Sequence, residues 1–194
     1  MRILVLAALF LAQPALSDTD GFTQRLEVTP PDGWSQVWDG GKADSYIVEY
    51  LRSGETVEDW KEMITVTGLR QPPAAGDPRP AMSFALAIKD GYQSACPESF
   101  SAYEQEAPKV PGALDVFAGN LNCGRLGESG LSQAMTFVVV AGKAEVFTYQ
   151  WAEQAQPWDG GAAFDEARWA PRLQALSAGL KLCDAADQAS CASE

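Results

Sequence analysis

Apolar and polar residues alternate in short runs through the first third of the chain, and glycine and proline clusters divide the runs. Gln24 to Thr29 reads as a strand that Pro30-Pro31-Asp32-Gly33 ends as a turn. Trp34 to Trp38 reads as a second. Asp39-Gly40-Gly41-Lys42 then turns the chain, and Asp44 to Leu51 returns it with period-two aromatic and β-branched residues. Gly54-Glu55-Thr56 opens a short helix, with Thr56 as cap and Asp59 three residues on. Trp60 and Met63 share its inner face, while Glu55, Glu58, Asp59 and Glu62 form a solvated one. Ile64 to Thr67 is β-branched and begins another strand.

The proline-rich stretch 70–80 is a surface loop. From Pro80 onward Ala81, Phe84, Ala85, Ile88 and Tyr92 recur at helical spacing, and Cys96-Pro97 closes that helix. The second half returns to strands at Phe100–Tyr103, Leu114–Leu121, Ala134–Val140 and Glu145–Trp151. The unbroken apolar run 137–140 predicts a strand buried on both faces. Trp169, Leu173, Leu176 and Leu180 mark a last amphipathic helix. Pro171 either kinks it or starts its main segment, and Gly179 stops it before a short extended piece, Leu180 to Leu182. The expected fold is therefore α+β: a mostly antiparallel sheet of about six to seven strands, two main helices and one short helix.

The amino end departs from this pattern. Arg2 precedes a ten-residue apolar run, Ile3 to Ala12, and then come Pro14 and Ala15-Leu16-Ser17. The run is about half the length needed to span a bilayer and matches the apolar core of a secretory signal peptide. Residues 1–17 are expected to be removed between Ser17 and Asp18, leaving a single globular domain over 18–183 and an acidic tail over 184–194 held by Cys191. No cysteine precedes Cys96, which leaves no lipid attachment site at the new amino end, and no later segment is apolar enough to span. The expected location is the periplasm or the exterior.

Charge and cysteine content fit that location. The chain carries 14 basic and 26 acidic residues, a net −12, which disfavours nucleic acid and anionic lipid as partners. An envelope protein or a small ligand is the expected partner. Four cysteines in an oxidising compartment imply two disulfides. Three pairings are possible, and near neighbours favour Cys96–Cys123 and Cys183–Cys191. On a chain-entropy basis these contribute ~3.6 and ~2.6 kcal/mol.

The chain has no histidine. That removes Ser-His-Asp and Cys-His mechanisms and the usual imidazole metal ligands. No metal site, cofactor or catalytic residue is expected. Trp38-Asp39-Gly40-Gly41 recurs as Trp158-Asp159-Gly160-Gly161. A tryptophan beside an aspartate can stack on and hydrogen-bond a sugar, which makes Trp38, Asp39, Trp158 and Asp159 the candidate ligand-binding residues. Two independent Asp-Gly turns are the simpler account. A glycosidase needs only two opposed carboxylates, but their abundance here does not place any pair.

The stretch Gly54 to Val66, the ending Leu180-Lys181-Leu182-Cys183-Asp184 and the helix-end Cys96-Pro97 resemble segments of small exported proteobacterial proteins of uncharacterised role. The element order is similar to the PsbP/DcrB/Mog1-like sandwich. That resemblance implies an α/β sandwich used for binding or assembly, and it supplies no site residues. The leading reading is a non-enzymatic envelope module. The rivals are a carboxylate-dependent hydrolase of envelope glycans and an acidic inhibitor of a cationic enzyme such as lysozyme.

Overall fold

The computed structural model describes residues 21–127, 130–187 and 191. The expected signal peptide and its cleavage point lie outside these residues, as does most of the acidic tail. Among the described residues, nine strands and two helices follow in the order β1 (Gln24–Glu27), β2 (Trp34–Lys42), β3 (Ser45–Arg52), β4 (Glu62–Leu69), α1 (Pro80–Ala95), β5 (Phe100–Gln105), β6 (Asp115–Cys123), β7 (Ser132–Ala141), β8 (Val146–Ala155), α2 (Glu166–Ser177) and β9 (Lys181–Asp184). Seven strands form one antiparallel sheet in the order β2-β3-β4-β8-β7-β6-β5, and β1 pairs with β9 in a second, two-stranded sheet. The expected α+β class holds.

Each face of the large sheet has its own cover. Val66, Val138, Phe147, Tyr149 and Trp151 point to one face and meet Leu173 and Leu176 of α2 and Leu26 and Leu182 of the small sheet. Leu121, Met135, Phe137 and Val139 point to the other and meet Ala81 and Ala85 of α1. Strand β7 is buried along nearly its whole length, and its apolar stretch 137–140 is covered on both faces as that run predicts. Burying a large apolar side chain stabilises by about 1.5–3 kcal/mol, so this double core is the main source of stability.

The α1 helix begins at Arg79 without a cap from its own side chain. Asp115 of β6 takes that role: its carboxylate accepts the Ala81 N–H at 3.0 Å and pairs with Arg79 at 3.3 Å. The far end of α1 is tied to the end of β6 by the Cys96–Cys123 disulfide. The second disulfide, Cys183–Cys191, fixes the chain just after β9. Gly179, at φ +73°, lets the chain leave α2 in the left-handed region, and Pro171 lies inside that helix.

Two local expectations are corrected. The short helix over 55–63 does not form. Thr56 Oγ1 does accept the Asp59 N–H at 3.3 Å, but the turn closes into an isolated bridge between those residues. The β-branched run that follows Met63 is drawn into β4 between β3 and β8, and too few residues remain to propagate a helix. The segment Asp39-Gly40-Gly41-Lys42 is not a turn either. It continues β2, and the chain reverses at Ala43-Asp44. A side chain at Gly40 would meet the Trp38 ring at 2.7 Å, so the glycine serves close packing along a strand.

Candidate functional site

The two Trp-Asp-Gly-Gly copies take different conformations in different places. Trp38 stands on the edge strand β2 and is 46% exposed. A bulge at Val37 shifts its register, so that Gln36 faces Tyr50 but Trp38 faces Glu49. Asp39 falls on the opposite face and accepts from Gln36 Nε2 at 3.2 Å. Trp158 lies in the loop after β8, where its backbone N–H donates to the Gly124 carbonyl at 2.9 Å and its indole fills the space a side chain at Gly124 would need. The Asp159 side chain is 95% exposed and 3.4 Å from Arg125. Sheet order puts the copies at opposite edges, five to six strand spacings or roughly 24–29 Å apart. The four residues are not brought together.

The second copy belongs to a segment pinned from below by a polar ladder. Ser101 and Tyr103 hydroxyls both donate to the Ala162 carbonyl at 2.8 Å. Beneath them Asn122 donates to Asn120 Oδ1 at 2.8 Å and to Ser101 at 3.2 Å, and Asn120 donates to the Met135 carbonyl at 2.7 Å. A buried polar network with its members satisfied fixes one arrangement of the groups it joins.

One opposed pair of carboxylates does exist. Glu62 and Glu153 sit directly across from each other in the β4–β8 register, beneath α2. Arg172 bonds both, at 2.9 Å to Glu62; Arg52 closes on Glu62 at 2.5 Å, and Arg168 on Glu153. The Trp151 indole N–H also donates to Glu62, at 3.3 Å. The guanidinium groups stack on tryptophan: Arg52 over Trp34 at 4.8 Å, Arg172 over Trp169 at 5.1 Å and over Trp151 at 5.4 Å. Burial pushes the Glu62 carboxyl up, but the hydrogen bonds and charges of Arg172 and Arg52 outweigh it and hold the group below its usual range. A general acid needs the reverse shift. The arrangement works as a clamp that docks α2 on the sheet.

The sequence pattern alone misses this cluster and assigns Glu62 to a solvated helix face. Its one legible signal is Arg168 and Arg172, four apart on α2. Which carboxylates they meet depends on strand register.

A concavity lies on the same face of the sheet, between α2 and the end of β5. It encloses about 670 Å³. Phe164, Ala170 and Leu173 supply apolar lining, and Phe164 is set by its ring contact with Tyr103 at 5.5 Å. Glu104, Glu106 and Glu166 add three carboxylates, against Lys109 as the one base among the described lining residues. The volume lies within the range of ligand clefts, roughly 300–1,000 Å³.

Glu27, Cys183 and Cys191 bring possible metal-ligand atoms within 4.8 Å of one another. Both sulfurs are committed to a disulfide, so no thiolate is present to bind metal.

No protein-family model matches the chain, and no curated protein does. Among solved structures it is similar to LpqN, described as involved in cell envelope biogenesis of Mycobacterium tuberculosis. The two share 14% identity at a TM-score of 0.47, over 86% of this chain and 88% of that one.

Proposed function

We propose that the protein is an exported, non-enzymatic binding module of the cell envelope that holds a cationic segment of a partner protein in the α2–β5 groove. The observation that carries this reading is the lining of the groove: apolar residues beside three carboxylates and, among the described residues, a single lysine. The net charge of −12 favours the same partner at long range. Two disulfides support an oxidising compartment, and no helix among the described residues is long and apolar enough to cross a membrane. The hydrolase reading loses support because the opposed pair Glu62 and Glu153 is tied down by arginines. An acidic inhibitor of a cationic enzyme is a special case of such a module.

The processed form consists of a domain over 18–183 and a short tail. Mass spectrometry of protein recovered from the periplasm is expected to give Asp18 as its first residue. A retained amino end would return residues 1–17 to the folded protein.

The groove is tested with a lysine- and arginine-rich peptide and with lysozyme as a basic protein. Binding is expected at low ionic strength, weakening as salt screens it. Glu104→Lys, Glu106→Lys and Glu166→Lys together are expected to abolish it. Binding that survives the triple variant would place the site elsewhere.

A further inference from the structure

The groove between α2 and the end of β5 is charged differently at its two ends. Its walls are the chain segment 104–109 and the face of α2 that carries Glu166, Ala170, Leu173 and Ser177. Both walls leave from one tie. There the Tyr103 ring meets Phe164 at 5.5 Å, and the Tyr103 hydroxyl donates to the Ala162 carbonyl at 2.8 Å. They meet again at a second tie just beyond the end of α2, where the Leu182 N–H donates to the Pro111 carbonyl at 2.9 Å. The walls therefore run in the same direction, and order along the chain is order along the groove.

Glu104 and Glu166 stand beside the first tie, and Glu106 follows; Lys109 stands beside the second. All four residues are exposed, and none has an ion pair among the described residues. Past the second tie a depression of about 210 Å³ is lined by Lys143 and Lys181, beside Asp184, which continues the basic end. Carboxylates left unpaired so near an unpaired lysine give the groove a field directed along its length.

The dimensions select the shape of the occupant. The wall from Glu166 to Ser177 is roughly 16 Å long at the helical rise, a distance that about five residues of extended chain span. Spread over that length, the volume of about 670 Å³ leaves a cross-section of roughly 40 Å², about half that of a helix 10 Å across. We propose that the groove takes an extended partner segment with basic residues at one end and an acidic side chain at the other. Lysine or arginine side chains meet Glu104, Glu106 and Glu166, an apolar side chain packs between Phe164 and Leu173, and the acidic side chain meets Lys109. This rests on the groove being the site for a cationic segment and adds an order of charges to it.

The test compares two acetylated and amidated pentapeptides of one composition: two lysines, a leucine, an alanine and a glutamate. In one, the lysines and the glutamate occupy opposite ends; in the other, the glutamate stands between the lysines. Equal net charge cancels the long-range attraction of the acidic protein. By titration calorimetry the segregated peptide, made in both chain directions, is expected to bind about fivefold tighter in its better direction, the upper scale of an exposed ion pair. Lys109→Glu is expected to abolish that preference and Lys109→Arg to keep it; the position is exposed, so neither change disturbs the core. Equal affinity for the two orders, or a preference unchanged in Lys109→Glu, would overturn the order of charges and leave the groove as a site for a cationic segment. Binding of neither peptide, or binding that survives the triple groove variant, would overturn both. Displacement of the peptide by an equal concentration of decyltrimethylammonium, an apolar cation without a carboxylate, would assign the groove to an amphiphile and overturn the proposal.

Discussion

Arg172 is the residue on which the α2 interface turns, because it bridges Glu62 and Glu153 and stacks on two tryptophans. Removing it leaves two facing carboxylates with fewer counter-charges. Arg172→Ala is therefore expected to cost about 3–5 kcal/mol in urea unfolding, the range for a broken buried pair, reduced by the one-fifth exposure of its side chain. Arg172→Met, which keeps the packing, should recover only part of that loss. The same cluster sets an acid limit. Glu62 has a lower pKa folded than unfolded, so its contribution is complete above the ordinary carboxylate value near 4.5 and is lost as pH falls through the lower folded value. Stability measured from pH 6 down to pH 2 should fall less steeply in Glu62→Gln than in the parent; parallel curves would remove Glu62 from the acid transition. Single residues are the least legible scale in the sequence. Trp169 reads correctly as core-facing from the spacing of the last helix. Glu62 does not, since a carboxylate's partners are chosen by register, which no local pattern carries. Trp38 and Asp39 read as neighbours on a turn but face opposite sides of β2, as successive residues of a strand do.

At the scale of elements, alternation and turn chemistry recover most strands, both long helices and the stop at Gly179. They fail where a segment has two possible owners. The stretch before Ile64 satisfies a capping pattern, and Thr56 makes the capping bond, yet the sheet takes the residues that would have extended a helix. Likewise, two adjacent glycines signal a turn unless a neighbouring ring needs the space, as Trp38 does above Gly40. The fastening of β9 depends on another glycine that local pattern does not flag. Gly112 has φ +83°, a side chain there would run into the Leu182 carbonyl, and the Leu182 N–H donates to Pro111 at 2.9 Å. Gly112→Ala is expected to destabilise by about 1–3 kcal/mol from backbone strain alone. Hydrogen exchange should show faster opening of Lys181–Asp184 than of β7, and uniform protection across both would argue against this local effect.

For the whole molecule, charge, cysteine content and the absence of histidine are legible at once, because they need no geometry. The disulfide pairing is also legible from spacing. The fold gives the two bridges distinct roles, since one ties α1 to the sheet and the other fixes the chain beyond β9. Reduction is expected to lower stability by up to about 6 kcal/mol if the two loop-entropy contributions add. Thermal melts with and without a reductant check this, and coincident melts would show that the bridges add nothing to the folded protein. What composition does not reveal is that the first strand pairs with the last, Glu27 opposite Lys181. That pairing carries a schedule. In a chain that emerges amino end first, Leu26 cannot be locked over the α2 side of the core by Leu182 until the carboxyl end has followed. Shorter lengths lack that cover. Closure of the small sheet therefore waits for the last strand, which makes this cover the most non-local contact in the core.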